Sequence, residues 1–285
     1  MSNQPVGGEL ITEQLVEELV SLVEAAGAAI LEIYGTDFDV ETKSDASPLT
    51  QADLASHRII EAGLTRLTPE IPLFSEESEL PPFDVRRQWQ RYWLIDPLDG
   101  TKEFVNRNGE FTVNIALIDS HQPVFGIVGV PVREHVYVGI EGAGAYRLSR
   151  QPGEPARQEL GGRLREDEDP LVVVASRSHG GERLEQYMLE LEETFGGVNR
   201  TPIGSSLKLC ILADGEADLY PRLGPTSEWD IAAAHAVLAA AGGEVWAVDG
   251  SPLSYNSKES VLNPEFFAAS DGAYPWRARL PVVPE

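Results

Sequence analysis

The sequence predicts a layered αβ sandwich, α+β in its first half and α/β in its second, with the two halves meeting at a cleft. Three observations carry this. Two amphipathic helical stretches open the chain, a series of strands with Gly/Pro turns follows to about residue 148, and beyond residue 170 strands and helices alternate.

Leu10 to Tyr34 places Leu15, Leu19, Leu22, Val23, Ala26, Ile30 and Ile33 near helical spacing, and Gly35 ends the run. Asp37 to Pro48 is polar and turn-rich. Thr50 then starts a second helix expected to reach about Leu67, with Pro69 and Pro72 breaking it. Ile71 to Phe74 is a short strand that delivers Ser75-Glu76-Glu77-Ser78, and Tyr92 to Ile95 is a buried strand running into Asp96. Phe111–Ile118, Val124–Val130, Val136–Ile140 and Ala145–Leu148 follow as a mostly antiparallel sheet. Gln151 to Pro170 is rich in Gly, Arg, Glu, Asp and Pro and is the candidate linker, so the expected division is 1–165 and 166–285. Beyond it come strand Leu171–Ala175, helices Glu182–Phe195 and Ser205–Ala213, strand Ala217–Tyr220, helix Glu228–Ala241 and strand Glu244–Ala247.

Bulk properties narrow the function classes. The 285 residues contain no uninterrupted apolar run of membrane-spanning length. Met1 to Pro5 lacks the basic start and apolar stretch of a signal peptide, and the single Cys210 permits no internal disulfide, so a cytoplasmic protein is expected. The formal charge of −24, from 22 basic and 46 acidic residues, has the wrong sign for a general nucleic-acid binder. It suits a well-solvated surface or a salty cytoplasm, and composition does not choose between them. Cys210 is expected to be a small core residue rather than a catalytic thiol.

Chemistry concentrates in carboxylates beside abrupt breaks in structure: Asp53 at a helix start, Glu76 and Glu77 after a strand, Asp96 and Asp99 after another, and Asp230 at a helix start. Thr50 and Asp53 also fit a capping box, and Asp230 could complement a helix dipole. The segment Asp96-Pro97-Leu98-Asp99-Gly100-Thr101 points further. Hard divalent cations take oxygen ligands, and magnesium keeps waters and substrate oxygens beside one or two carboxylates. Asp96 can bridge two ions, Asp99 can hold the second, and the Leu98 carbonyl can serve the first. The Gly100 and Thr101 amides, at an expected helix start, suit a phosphate.

This segment and Trp229-Asp230-Ile231-Ala232-Ala233-Ala234 resemble the two signatures of the inositol monophosphatase superfamily of lithium-sensitive phosphatases. Within it the run Tyr92 to Ile118, with Ser176 to His179, Gly204 to Lys208 and Leu219 to Thr226, is similar to the bacterial 3'(2'),5'-bisphosphate nucleotidases of sulfate assimilation. The resemblance implies the αβαβα sandwich of inositol monophosphatases and sugar phosphatases, and two or three magnesium ions. Glu76 and Asp96 with the Leu98 carbonyl would hold one ion, and Asp96, Asp99 and Asp230 another. Asp53 would sit by a third and, with Thr101, orient the attacking water; Glu77 lies nearby. Inositol phosphatases commonly show Thr-Thr-Asn-Phe where this chain has Thr101-Lys102-Glu103-Phe104. Lys102 therefore adds charge beside the phosphate, with Arg107 a candidate helper. Gly100, Thr101, Lys102, His179, Ser205, Lys208, Arg222 and Asp230 would contact substrate, while Trp229 and Tyr220 are read as packing groups. As alternatives, His179 is a satisfied loop histidine and Lys208 an exposed helix residue. The implied reaction is hydrolysis of adenosine 3',5'-bisphosphate to AMP and phosphate, with 3'-phosphoadenylyl sulfate as a second substrate. The runner-up is an inositol monophosphatase or sugar-bisphosphate phosphatase. A monomer or homodimer is expected; some related proteins associate with the inner face of the plasma membrane.

Overall fold

A computed structural model of the chain describes residues 10–36, 41–42, 48–49, 51–176 and 181–284. Helix α1 (Glu13–Tyr34) begins where Thr12 Oγ1 accepts from Leu15 N–H at 3.1 Å, and it buries Val16, Leu19, Val20, Val23, Ala26 and Ile30 along one stripe. Strands β1 (Glu41–Thr42) and β2 (Pro48–Leu49) form a two-residue pair ahead of α2 (Gln51–Leu67). Then follow β3 (Leu73–Ser75), the single turn α3 (Phe83–Arg86), β4 (Arg91–Asp99), α4 (Thr101–Val105), β5 (Thr112–Asp119), β6 (Gln122–Val130), β7 (His135–Ile140), β8 (Gly144–Ser149) and β9 (Arg157–Leu160). The second half holds β10 (Leu171–Ser176), α5 (Gly181–Phe195), β11 (Val198–Ile203), α6 (Leu207–Ala213), β12 (Leu219–Arg222), α7 (Glu228–Ala240), β13 (Glu244–Ala247), β14 (Phe266–Ala269) and α8 (Trp276–Arg279).

Strands β3 to β9 lie in chain order in a seven-stranded sheet, antiparallel except for the β3–β4 pair. The other large sheet runs β11-β10-β12-β14-β13, parallel on one side and antiparallel on the other. Helices α1 and α2 cover one face of the first sheet, where a core forms around Leu19, Ile30, Trp93, Ile95 and Phe125. Helices α6 and α7 fill the space between the sheets with Leu209, Leu212, Ala233, Val237 and their neighbours. Helix α5 packs on the outer face of the second sheet through Leu184, Tyr187 and Leu191. The result is the expected αβαβα order. Cys210 is buried on α6 in the central core, and Tyr220 is buried there too, with Trp229 packed against it.

Besides the two-residue pair β1–β2, three strands escape sequence reasoning. The candidate linker contains β9, an edge strand paired with β8. Strand β11 is largely exposed and carries no apolar alternation, and β14 is only four residues long. The strand expected to stop at Ile95 instead runs through the acidic segment to Asp99.

Candidate active site

The acidic segment is built on a β-bulge. Asp96 pairs with Asn114 and Asp99 with Thr112, so Pro97 and Leu98 together oppose Val113. The kink has three supports: Leu98 N–H donates to Asp96 Oδ1 at 3.1 Å, the Leu98 side chain is buried in the outer core, and Ser56 Oγ on α2 donates to Pro97 O at 2.8 Å. Gly100 follows at φ +88°, where an added Cβ would press on the Glu103 carboxylate, Ser205 Cβ and Glu110 O at 3.2–3.3 Å. Glycine is required there on both conformational and steric grounds. Thr101, half-buried, is the first residue of α4, and Lys102 beside it is exposed.

The other predicted acids converge on this bulge from separate elements. Asp53 is buried in the first turn of α2, one turn before Ser56; its expected capping partner Thr50 lies outside the described residues. Glu76 follows β3 and is exposed, with its N–H bound to Ile95 O at 3.1 Å. Glu77 is half-buried, and Oγ of Ser75, the last residue of β3, lies 3.1 Å from His57 Nδ1. Asp230 sits in the first turn of α7, where its Oδ2 accepts from Ser227 N–H at 2.9 Å. Burial pushes the Asp96 carboxyl well above the usual carboxylate range, and Glu76, Asp99, Asp230 and Asp53 push it further. Asp230 is raised in the same way by burial and by Asp99 and Glu76, against the Ser227 hydrogen bond and Arg222.

A basic wall faces these acids from the second half of the chain. Ser205 takes a left-handed conformation (φ 45°), and the next N–H, from Ser206, donates to Asp99 Oδ2. Lys208 is only 5% exposed, so it is not a solvated helix residue. Its ammonium donates to Ser205 O at 2.6 Å and Ile203 O at 3.4 Å and lies 5.3 Å from the Tyr220 ring centre. Burial lowers Lys208 to about 8 in spite of Asp99, and burial raises Asp99 to about 6 in spite of Lys208 and the Ser206 hydrogen bond. Arg222 is buried and donates to Pro225 O at 2.6 Å, while its Nε has no hydrogen-bond partner among the described residues. Arg107 is turned to the end of α1, donating to Tyr34 O and Thr36 O. His179 lies outside the described residues.

Comparison with known proteins bears on this geometry. The model of the Inositol monophosphatase family matches residues 12–275. The chain belongs to that family. It is 48% identical over 258 residues to the 3'(2'),5'-bisphosphate nucleotidase CysQ of Escherichia coli, covering 88% of this chain and 98% of that protein. The corresponding protein of Buchnera aphidicola is 38% identical over 264 residues, 91% of this chain and 95% of its own length. The crystal structure of CysQ from Bacteroides thetaiotaomicron, a bacterial member of the family, superposes with a TM-score of 0.80 at 41% identity, covering 92% of this chain and 98% of that one.

The donor set fits a hard divalent cation. It is all oxygen, it is buried at Asp53, Asp96 and Leu98, and its acids repel one another strongly enough that a positive ion would relieve them. Among the described residues no three His, Cys, Asp or Glu side chains stand close enough together to form a cation cage by themselves. Cavities of about 240 and 530 Å³ lie along α1 and contain none of the predicted site residues. Sequence reasoning passed over Ser206, Thr112, Asn114 and Ser56. The one available signal was Thr112 and Asn114 alternating as polar residues inside an otherwise apolar strand.

Proposed function

We propose that the chain is a magnesium-dependent 3'(2'),5'-bisphosphate nucleotidase that hydrolyses adenosine 3',5'-bisphosphate to AMP and phosphate, with 3'-phosphoadenylyl sulfate as a second substrate. The observation that carries metal-dependent phosphate chemistry is Asp96, buried and crowded by four other carboxylates beside a basic wall. The choice of nucleotide rests on the 48% identity to the Escherichia coli nucleotidase.

In this reading Glu76, Asp96, Asp99, Asp230 and the Leu98 carbonyl hold the ions, with Asp53 beside a third. Bound magnesium supplies positive charge against the phosphate oxygens and eases deprotonation of water. The chain's own residues do the positioning that phosphoryl transfer chiefly demands. Asp53 and Thr101 hold the attacking water in line with the phosphorus–oxygen bond. The water oxygen bonds to phosphorus as the bond to the 3' oxygen breaks, and that oxygen leaves with a proton. Gly100 lets the backbone approach the phosphate, and Lys102 balances its charge. His179, Ser205, Lys208 and Arg222 serve the rest of the nucleotide. Residues 1–165 and 166–285 act as two domains sharing the site, and the enzyme works in the cytoplasm in sulfate assimilation.

The test is a phosphate-release panel with magnesium, with and without lithium, across adenosine 3',5'-bisphosphate, inositol 1-phosphate and fructose 1,6-bisphosphate. Fastest release from the nucleotide, suppressed by lithium, is expected. Much faster release from inositol 1-phosphate or the sugar bisphosphate would overturn the nucleotide assignment and favour a phosphatase of that class on the same fold.

A further inference from the structure

Ser206 is where the second half of the molecule grips Asp99. Its N–H donates to Asp99 Oδ2, and its hydroxyl lies 2.8 Å from Asn114 Oδ1 and 2.9 Å from Thr112 Oγ1. The single hydroxyl hydrogen goes to Asn114, so Thr112 is the donor to Ser206 Oγ. Thr112 and Asn114 stand on β5 directly opposite Asp99 and Asp96. None of the three is more than 2% exposed, so neither hydroxyl can turn to bulk water. With its oxygen engaged, Asn114 leaves its amide nitrogen buried and without a hydrogen-bond partner among the described residues, on the same sheet face as Asp96. An unpaired buried donor is costly.

We propose that Thr112, Ser206 and Asn114 form a positioning relay that fixes the Asp99 carboxylate for ion binding without touching substrate. The relay links a strand of the first sheet to the turn before α6, so the orientation of an acid on β4 depends on a segment more than a hundred residues away in sequence. This rests on the reading of Asp99 as a metal ligand. A mere structural bolt between the halves would cost stability alone when cut. A positioning relay would cost ion affinity as well, as partners of metal ligands do.

The variants are Thr112→Val, which removes the hydroxyl at constant shape, Thr112→Ser, which keeps it, and Ser206→Ala. Calorimetric titration of the metal-free full chain with magnesium reads ion affinity independently of turnover. Thr112→Val and Ser206→Ala are expected to weaken magnesium binding about tenfold or more, with Thr112→Ser recovering most of it. The magnesium needed for half-maximal phosphate release should rise in parallel, while KM for adenosine 3',5'-bisphosphate at saturating magnesium moves less than about twofold. A folded Thr112→Val or Ser206→Ala protein that melts earlier yet binds magnesium as tightly as the wild type would overturn the relay. Should Thr112→Val not fold, Ser206→Ala makes the same comparison. If the wild type binds magnesium and the variants lose it while no bisphosphate nucleotide is hydrolysed, the nucleotidase reading fails and the relay stands.

Discussion

At the scale of single residues, some polar groups of this interior gather around Asp96 and others are kept neutral by burial. His235 is of the second kind. It is buried on α7, its Nδ1 lies 2.8 Å from Tyr255 Oη, and burial lowers its pKa from 6.5 to about 4. Its folded pKa is depressed, so the unfolded chain takes up a proton that the folded one refuses. Stability from the neutral imidazole is therefore complete above about pH 6.5 and is lost as pH falls towards 4, by up to about 3 kcal/mol. His235→Gln, which keeps a partner for Tyr255 and cannot protonate, should close the gap to wild type across this window in urea unfolding. An unchanged gap between pH 7 and pH 4.5 would show that His235 takes up its proton as readily in the folded chain as in the unfolded one. The acids of the site were legible in the sequence because carboxylates next to turns are visible one segment at a time. Lys208 was not settled, since a lysine on a short helix reads equally as solvated. Its burial depends on the Ser205 turn and Tyr220, which no local pattern reveals.

At the scale of elements, α7 decides how the halves fit. It is rich in alanine and buried on nearly all sides, lying between the two sheets. Gly126 on β6 and Gly139 on β7 make this contact: a methyl group on Gly126 would collide with the Ala233 backbone, and one on Gly139 with that of Val237. The helix cannot retreat without moving Asp230 in its first turn. Gly126→Ala is therefore expected to lower stability by about 3 kcal/mol, since backbone atoms cannot rotate away from the added carbon. Phosphate release should fall further than the folded fraction does. Gly197→Ala, where the new carbon meets nothing within 4 Å, serves as the control. Equal urea midpoints for the two variants would show that the helix has room the packing denies. The long periodic helices and the alternating strands were readable from the sequence because periodicity survives over such lengths. The edge strands β9 and β11 were not: β9 looked like a polar linker, and what makes both of them strands is the neighbour each pairs with.

At the scale of the whole molecule, the charge of −24 and the site act on stability through different ranges. The halves are tied across their interface by neutralised groups. Tyr137 Oη donates to Asp214 Oδ2 at 2.6 Å, Arg147 reaches the same carboxylate, and Arg86 holds Asn256 and Glu259 O. The surplus acids elsewhere repel one another over distances comparable to the Debye length of about 10 Å at 0.1 M salt, so added sodium chloride should stabilise the fold gradually. Magnesium should do more at equal ionic strength. Asp53, Asp96 and Asp99 come from the first half and Asp230 from the second, and only the folded chain brings them together. An ion held there stabilises by mass action, about 2.7 kcal/mol at a hundredfold excess over its dissociation constant. Asp96→Asn removes the acid that the other four surround, so it should abolish the magnesium increment and turnover together while leaving the sodium chloride response intact. It should also unfold at a higher urea concentration than wild type in chelator, because the cost of burying an ionisable acid among four others is gone. Equal midpoints for wild type in magnesium and in sodium chloride of matched ionic strength would mean that the acids act only as surface charge, and that no ion joins the two halves.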